Sequence, residues 1–195
     1  MKTPLNYQVT ESDCGTASFL NALSFVLDRE QIPARVAHAV MTYTLDNYGV
    51  DGCENSGGTS VQALEYLQSY IEQFSELQDL PLELKISTDQ DSNFDIDKSN
   101  SLFKENGCML ACVWLMSDHH YVLITNVTKK FAYIFDPYYV DSKYFLKNHK
   151  VEIIKNKPFS YNRKVDLAQL FLDARQDYSL VRGDAYQVLM TVKRK

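Results

Sequence analysis

Hydrophobic positions along the chain fall first on helical and then on strand spacing. Phe19, Leu23, Val26 and Leu27 recur at the intervals of one helix face and predict a helix over residues 14–28, capped by Ser12 or Asp13 and closed by Ile32-Pro33. Further helices are predicted over 34–44 and 59–77, on either side of a polar, glycine-bearing loop at 48–58. A short strand at 82–87, the polar run DQDSNFDIDKSN and a short helix at 101–105 follow. The pattern then turns to β. CMLACVWL (108–115), HYVLITN (120–126) and FAYIF (131–135) are apolar runs separated by turns at Ser117-Asp118 and Lys129-Lys130. A strand at 151–155, a helix at 165–175 and a strand at 186–192 complete the chain. Helices ahead of an antiparallel sheet make an α+β order, not an alternating βαβ one.

Length and composition narrow the picture. The 195 residues suit one domain with a substantial core, and 45% apolar with 23% charged residues is a globular profile. A net charge of -5, with both signs dispersed, removes any general attraction to nucleic acid or an anionic membrane; Lys193-Arg194-Lys195 reads as a solvated tail. No apolar run approaches the roughly 20 residues that cross a bilayer, and the opening MKTPLNYQVTESD has no hydrophobic signal region. The expectation is a cytoplasmic protein with free thiols at Cys14, Cys53, Cys108 and Cys112. Cys108 and Cys112 share one face of a strand, too far apart to bridge, and read as small hydrophobes. Oligomeric state has no sequence signal.

Three weak chemical signals reinforce one another. Cys14, in SDCGTASFL, stands in the first turn of the first helix, where free N–H groups and the positive end of the helix dipole favour a thiolate. His119-His120 open an apolar strand, and strand alternation lets only one of them face a given side, so at most one serves as a general base. Asp136, in AYIFDPYY, sits where the next strand leaves the sheet at Pro137 and can orient an imidazole across a hairpin. Taken singly, each has a bland alternative: a buried cysteine, a solvated histidine pair, an Asp-Pro turn. A helix-start cysteine, a histidine about a hundred residues later and a carboxylate on the following strand together follow the logic of papain-like hydrolases.

At these residues the chain resembles the bacteriocin-processing cysteine peptidases, papain-like domains that remove double-glycine leader peptides. The matching stretches are YQVTESDCGTASFLNAL, GGTSVQALEYLQSY and CMLACVWLMSDHHYVLITNVTKKFAYIFDP. The resemblance implies Cys14 as nucleophile, His120 rather than His119 as base, Asp136 as its orienting carboxylate, and Gln8 as a side-chain oxyanion donor beside the Cys14 N–H. It implies a papain-like fold over one domain, residues 1–195, with a family-like core at 5–139 and an extension at 140–195 packing on the sheet. It further implies a peptide or protein substrate and a reaction without cofactor or metal. Two readings compete with peptide hydrolysis: a papain-like acyltransferase or amidase, and a non-catalytic peptide-binding module.

Other constellations fit their chemistry poorly. Cys108, Cys112, His119 and His120 offer zinc ligand types, but cysteines four apart on a strand and adjacent histidines suit a tetrahedral site badly. Asp89, Asp91, Asp95 and Asp97 lack the glycine and closing glutamate of a calcium loop. Gly57-Gly58-Thr59-Ser60 opens a helix without the lysine of a phosphate loop and reads as an ordinary cap. His38 and His149 have no partners visible in sequence.

Overall fold

In the computed structural model, residues 1–49, 52, 57–88, 96–140 and 149–195 are described. The helical half forms much as its spacing predicts, as α1 (Cys14–Val26), α2 (Ala34–Tyr43) and α3 (Val61–Gln78). Gly15, Ala17, Ser18 and Ala22 give α1 a flat buried face, and Phe19, Leu23 and Val26 fill the space around it. Asp13 occupies the cap position of α1 but makes no side-chain bond to it. Its carboxylate instead accepts from the backbone N–H groups of Val9 and Thr10 at 3.0 and 2.6 Å, folding the preceding turn. Ser60 does cap α3, accepting from Ala63 N–H at 3.0 Å.

The remaining elements are β1 (Glu83–Ser87), α4 (Ile96–Lys104), β2 (Cys108–Leu115), β3 (Asp118–Val127), β4 (Phe131–Phe135), β5 (Val151–Ile153), β6 (Arg163–Asp166), α5 (Leu167–Leu170) and β7 (Leu189–Lys193). The strands form one antiparallel sheet in the order β1-β7-β2-β3-β4-β6-β5. The fold is therefore α+β, as the order of elements implies. β2 is buried at all eight positions because the sheet is covered on both faces. Cys108, Leu110, Cys112 and Trp114 face α1, α2 and α3, whereas Met109, Ala111, Val113 and Leu115 pack with Leu102, Leu167 and Tyr178 on the other side. A one-residue slip of β2 would exchange these two sets, so its register against β3 is fixed by packing. The β2–β3 hairpin turns on Met116 and Ser117 at φ of 52° and 69°, the left-handed pair that matches strand twist in a two-residue loop.

One expectation fails in the C-terminal third. Residues 163–166 form a strand where the spacing predicts a helix over 165–175, and only Leu167–Leu170 turns helical. Arg163 and Val165 alternate inward and β4 offers an unpaired edge, so the ladder takes those backbone groups first; Asp166 then caps the single turn by accepting from Ala168 N–H at 2.8 Å. Residues beyond 149 help to build the sheet itself. They contribute three of its seven strands among the described residues, and β7 is threaded between β1 and β2. Cys53 and the acidic Asp89, Asp91 and Asp95 lie outside the described residues. Among the described residues no helix is long and apolar enough to cross a membrane.

Candidate active site

The site forms where β4 stops short of β3. Pairing between these strands ends at Leu123 and Phe135, leaving residues 118–122 of β3 without a β4 neighbour. The start of α1 and the segment before it occupy that gap. Ser18 Oγ donates to the Tyr121 carbonyl at 2.9 Å, and Gln8 N–H donates to Pro137 O at 2.9 Å. Buried Asn21 clamps the segment to α1, accepting from Asn6 N–H and donating to Asn6 O, both at 2.8 Å. Gly15 lets this junction close, because a Cβ there would overlap the Thr59 side chain, whose hydroxyl donates to Thr44 O.

Cys14, His120 and Asp136 are brought together at this point. Cys14 is 7% exposed, His120 6% and Asp136 fully buried. His120 Nε2 lies 2.7 Å from Asp136 Oδ1. Cys14 is the other side chain that acts on the ring. Burial alone favours a neutral ring. The Asp136 charge and hydrogen bond, with the contact to Cys14, outweigh it and push the imidazolium up to about 10. Burial likewise opposes ionisation of Asp136, but the His120 and Arg163 charges and the Tyr178 hydroxyl hold its carboxyl below the usual carboxylate range. At neutral pH the pair is an imidazolium on a carboxylate.

His119 goes elsewhere, as alternation requires. Its ring lies between Trp114 and Tyr186, with centroids 4.5 and 4.3 Å away, and its Nε2 is 3.3 Å from Asp184 Oδ2. The four residues weighed as zinc ligands therefore do not converge: His120 faces Asp136, His119 is held in the aromatic stack, and both cysteines are buried under α1. Burial pushes the thiols of Cys108 and Cys112 up, in keeping with hydrophobic roles. Gln8 stands beside Pro137, and its Nε2 donates one N–H to Thr10 O at 2.7 Å while carrying a second. Its Oε1 is buried with no hydrogen-bond partner among the described residues.

No protein-family model matches the chain, and no curated protein matches it. The arrangement is read from its own geometry, which includes residues that sequence reasoning missed. Asp136 Oδ1 accepts a second bond, from Tyr138 N–H at 2.7 Å, and Oδ2 accepts from the Tyr178 hydroxyl at 2.5 Å. That hydroxyl accepts in turn from Arg163 Nε at 3.0 Å, placing a buried guanidinium 3.9 Å from the carboxylate. Asn162 holds the Asp136 backbone from both sides, its Oδ1 accepting from N–H at 2.8 Å and its Nδ2 donating to the carbonyl at 2.7 Å. Tyr178 sits at φ of 63°, where a bulky residue persists only when its surroundings enforce it. Bonds to charged, buried groups contribute about 1.5–3 kcal/mol each, so this cage fixes the carboxylate that fixes the ring. The only trace of it in sequence is an arginine alternating with a valine, which carries no functional signal.

A cleft of about 430 Å³ opens beside Cys14. Gly58, Thr59, His119, Tyr121 and Tyr186 are among the residues that line it. The acidic residues Glu11 and Asp118 also line it, and no lysine or arginine is among its described lining residues. Chemically, the site combines a thiol at a helix start, an imidazolium aligned by a caged carboxylate, and a groove at the sulfur.

Proposed function

We propose that this chain is a cysteine hydrolase that cleaves an amide bond in a peptide or protein, on a papain-like arrangement of its α+β fold. The observation that carries the reading is the line from Cys14 through His120 to Asp136, closed by the 2.7 Å contact between Nε2 and Oδ1. A carboxylate bonded by Tyr138 N–H and the Tyr178 hydroxyl, with the Arg163 guanidinium beside it, keeps the imidazole in one orientation, with its other nitrogen assigned to the sulfur.

With the Cys14 proton on His120, the thiolate attacks the carbonyl carbon: an S–C bond forms, the C=O π bond breaks, and a tetrahedral oxyanion results. The Cys14 backbone N–H, at the start of α1, and the second N–H of Gln8 Nε2 are the groups assigned to stabilise it. Collapse breaks the C–N bond as the His120 imidazolium passes its proton to the leaving amine. Water then attacks the thioester, giving its proton to His120 and releasing the acid and the thiol. A leader-peptide substrate and a cytoplasmic setting are the finer form of this proposal and rest on the resemblance of the three quoted stretches.

The test is selective alkylation joined to turnover. Limiting iodoacetamide followed by peptide mapping is expected to label Cys14 ahead of Cys53, Cys108 and Cys112, and Cys14→Ala is expected to abolish peptide hydrolysis. Equal labelling of the four thiols, or hydrolysis that survives Cys14→Ala, overturns the reading.

A further inference from the structure

Tyr121 has no part in the chemistry above. It follows His120 on β3, so alternation turns it to the opposite face, towards α1 and the cleft. It is 2% exposed, and its hydroxyl is buried without a hydrogen-bond partner among the described residues. Beyond burial itself, the ionisable groups near enough to act on that hydroxyl are Cys112, Cys14, Tyr186 and Asp46, and Cys14 and Tyr186 line the same cleft.

A phenol has one proton to give and lone pairs to accept, and burying both unused is unfavourable where phenylalanine fills the same space at no such cost. The unused group is therefore directed at something that enters the cleft. Burial holds the phenol protonated, well above its usual range, so it acts as a donor. Glu11 and Asp118 in the lining disfavour an anionic acceptor, leaving a neutral one. A peptide supplies such acceptors at every residue.

We propose that Tyr121 is a positioning residue whose hydroxyl donates to a backbone carbonyl oxygen on the acyl side of a peptide, one or more residues before the carbonyl presented to Cys14. The inference rests on Cys14 as the nucleophile and adds a requirement: the substrate extends along the chain ahead of the scissile residue. Short acyl compounds do not reach this donor.

Reversible aldehydes separate the two ideas. The Cys14 S–H adds across the aldehyde carbonyl: an S–C bond forms, the π bond breaks, the thiol proton ends on oxygen, and nothing leaves. The probes are N-acetyl-glycyl-glycinal and N-acetyl-alanyl-alaninal, with acetaldehyde as the small control. In wild type the peptide aldehydes are expected to bind more tightly than acetaldehyde. In Tyr121→Phe that advantage is expected to shrink by about tenfold or more, the loss of one buried hydrogen bond. The acetaldehyde adduct and the rate of Cys14 alkylation by iodoacetamide stay the same, and Tm is unchanged or raised. Peptide-aldehyde affinity that is the same in Tyr121→Phe overturns this inference alone. So does a lowered Tm, which would mean that the hydroxyl is paired within the fold. Absence of any Cys14 adduct with all three aldehydes, or adducts that persist in Cys14→Ala, overturns the nucleophile reading and this inference with it.

Discussion

Removing one oxygen from Tyr178 tests the cage around Asp136 without touching the thiol or the imidazole. In Tyr178→Phe the carboxylate loses the O–H that reaches Oδ2 at 2.5 Å, and Arg163 Nε loses its acceptor at 3.0 Å. Tyr178 and Asp136 are both fully buried, so solvent does not replace the bond. What remains at Oδ2 is the guanidinium at 3.9 Å, too far for a direct hydrogen bond. A hydrogen bond to a charged group contributes about 1.5–3 kcal/mol, so stability at pH 7 is expected to fall by that amount. At this chain length about 2–4 °C accompanies each kcal/mol, which gives a Tm lower by roughly 3–12 °C. The loss also has a pH signature. Asp136 is depressed in the folded chain, so its contribution is present above its unfolded value near 3.8 and disappears as pH falls through the folded value. Wild type and variant are therefore expected to differ at pH 7 and to converge in acid. Urea denaturation from pH 7 downward measures both. A difference below about 0.5 kcal/mol at pH 7, or one that does not change with pH, refutes the account of the cage.

Two further perturbations probe neighbouring parts of the site. Asp136→Asn removes the charge that raises His120, so the His120 titration followed by NMR is expected to drop from about 10 to its ordinary value near 6.5 or lower. A raised imidazole contributes stability that is full below the unfolded value and lost as pH climbs to the folded one, so wild type's advantage over this variant fades between pH 6.5 and about 10. A titration that stays near 10 refutes the pairing. Gly15→Ala places a methyl against the Thr59 side chain at the α1 junction and is expected to cost about 1–3 kcal/mol, read by urea denaturation. An unchanged midpoint means that the junction has room to spare.

The sequence carried the parts of this molecule that local periodicity encodes. α1 begins at Cys14, and β2 and β4 have the bounds that their apolar runs predict, because each element buries a regular face. The order of Cys14, His120 and Asp136 was legible for the same reason: each marks the end of a periodic element, and element ends are where side chains meet. β6 was hidden because its four residues hold one aliphatic, Val165, too few to set a period against the helical spacing that follows. Asn162, Arg163 and Tyr178 were invisible as site residues. Their roles depend on which distant strand ends they meet, and that is a property of the sheet order, not of their neighbours in the chain.

Threading β7 between β1 and β2 has a consequence for how the protein is made. Residues 189–193 are the mortar between the edge strand β1 and the rest of the sheet, so until they are made β1 and β2 have no strand to join them. Joining them requires a contact between residues more than a hundred positions apart, the kind of long loop that slows folding. The thiol and the imidazole are synthesised long before Tyr178 and β7 arrive to lock their surroundings. The last strand to be made is thus the one that joins the two flanks of the sheet.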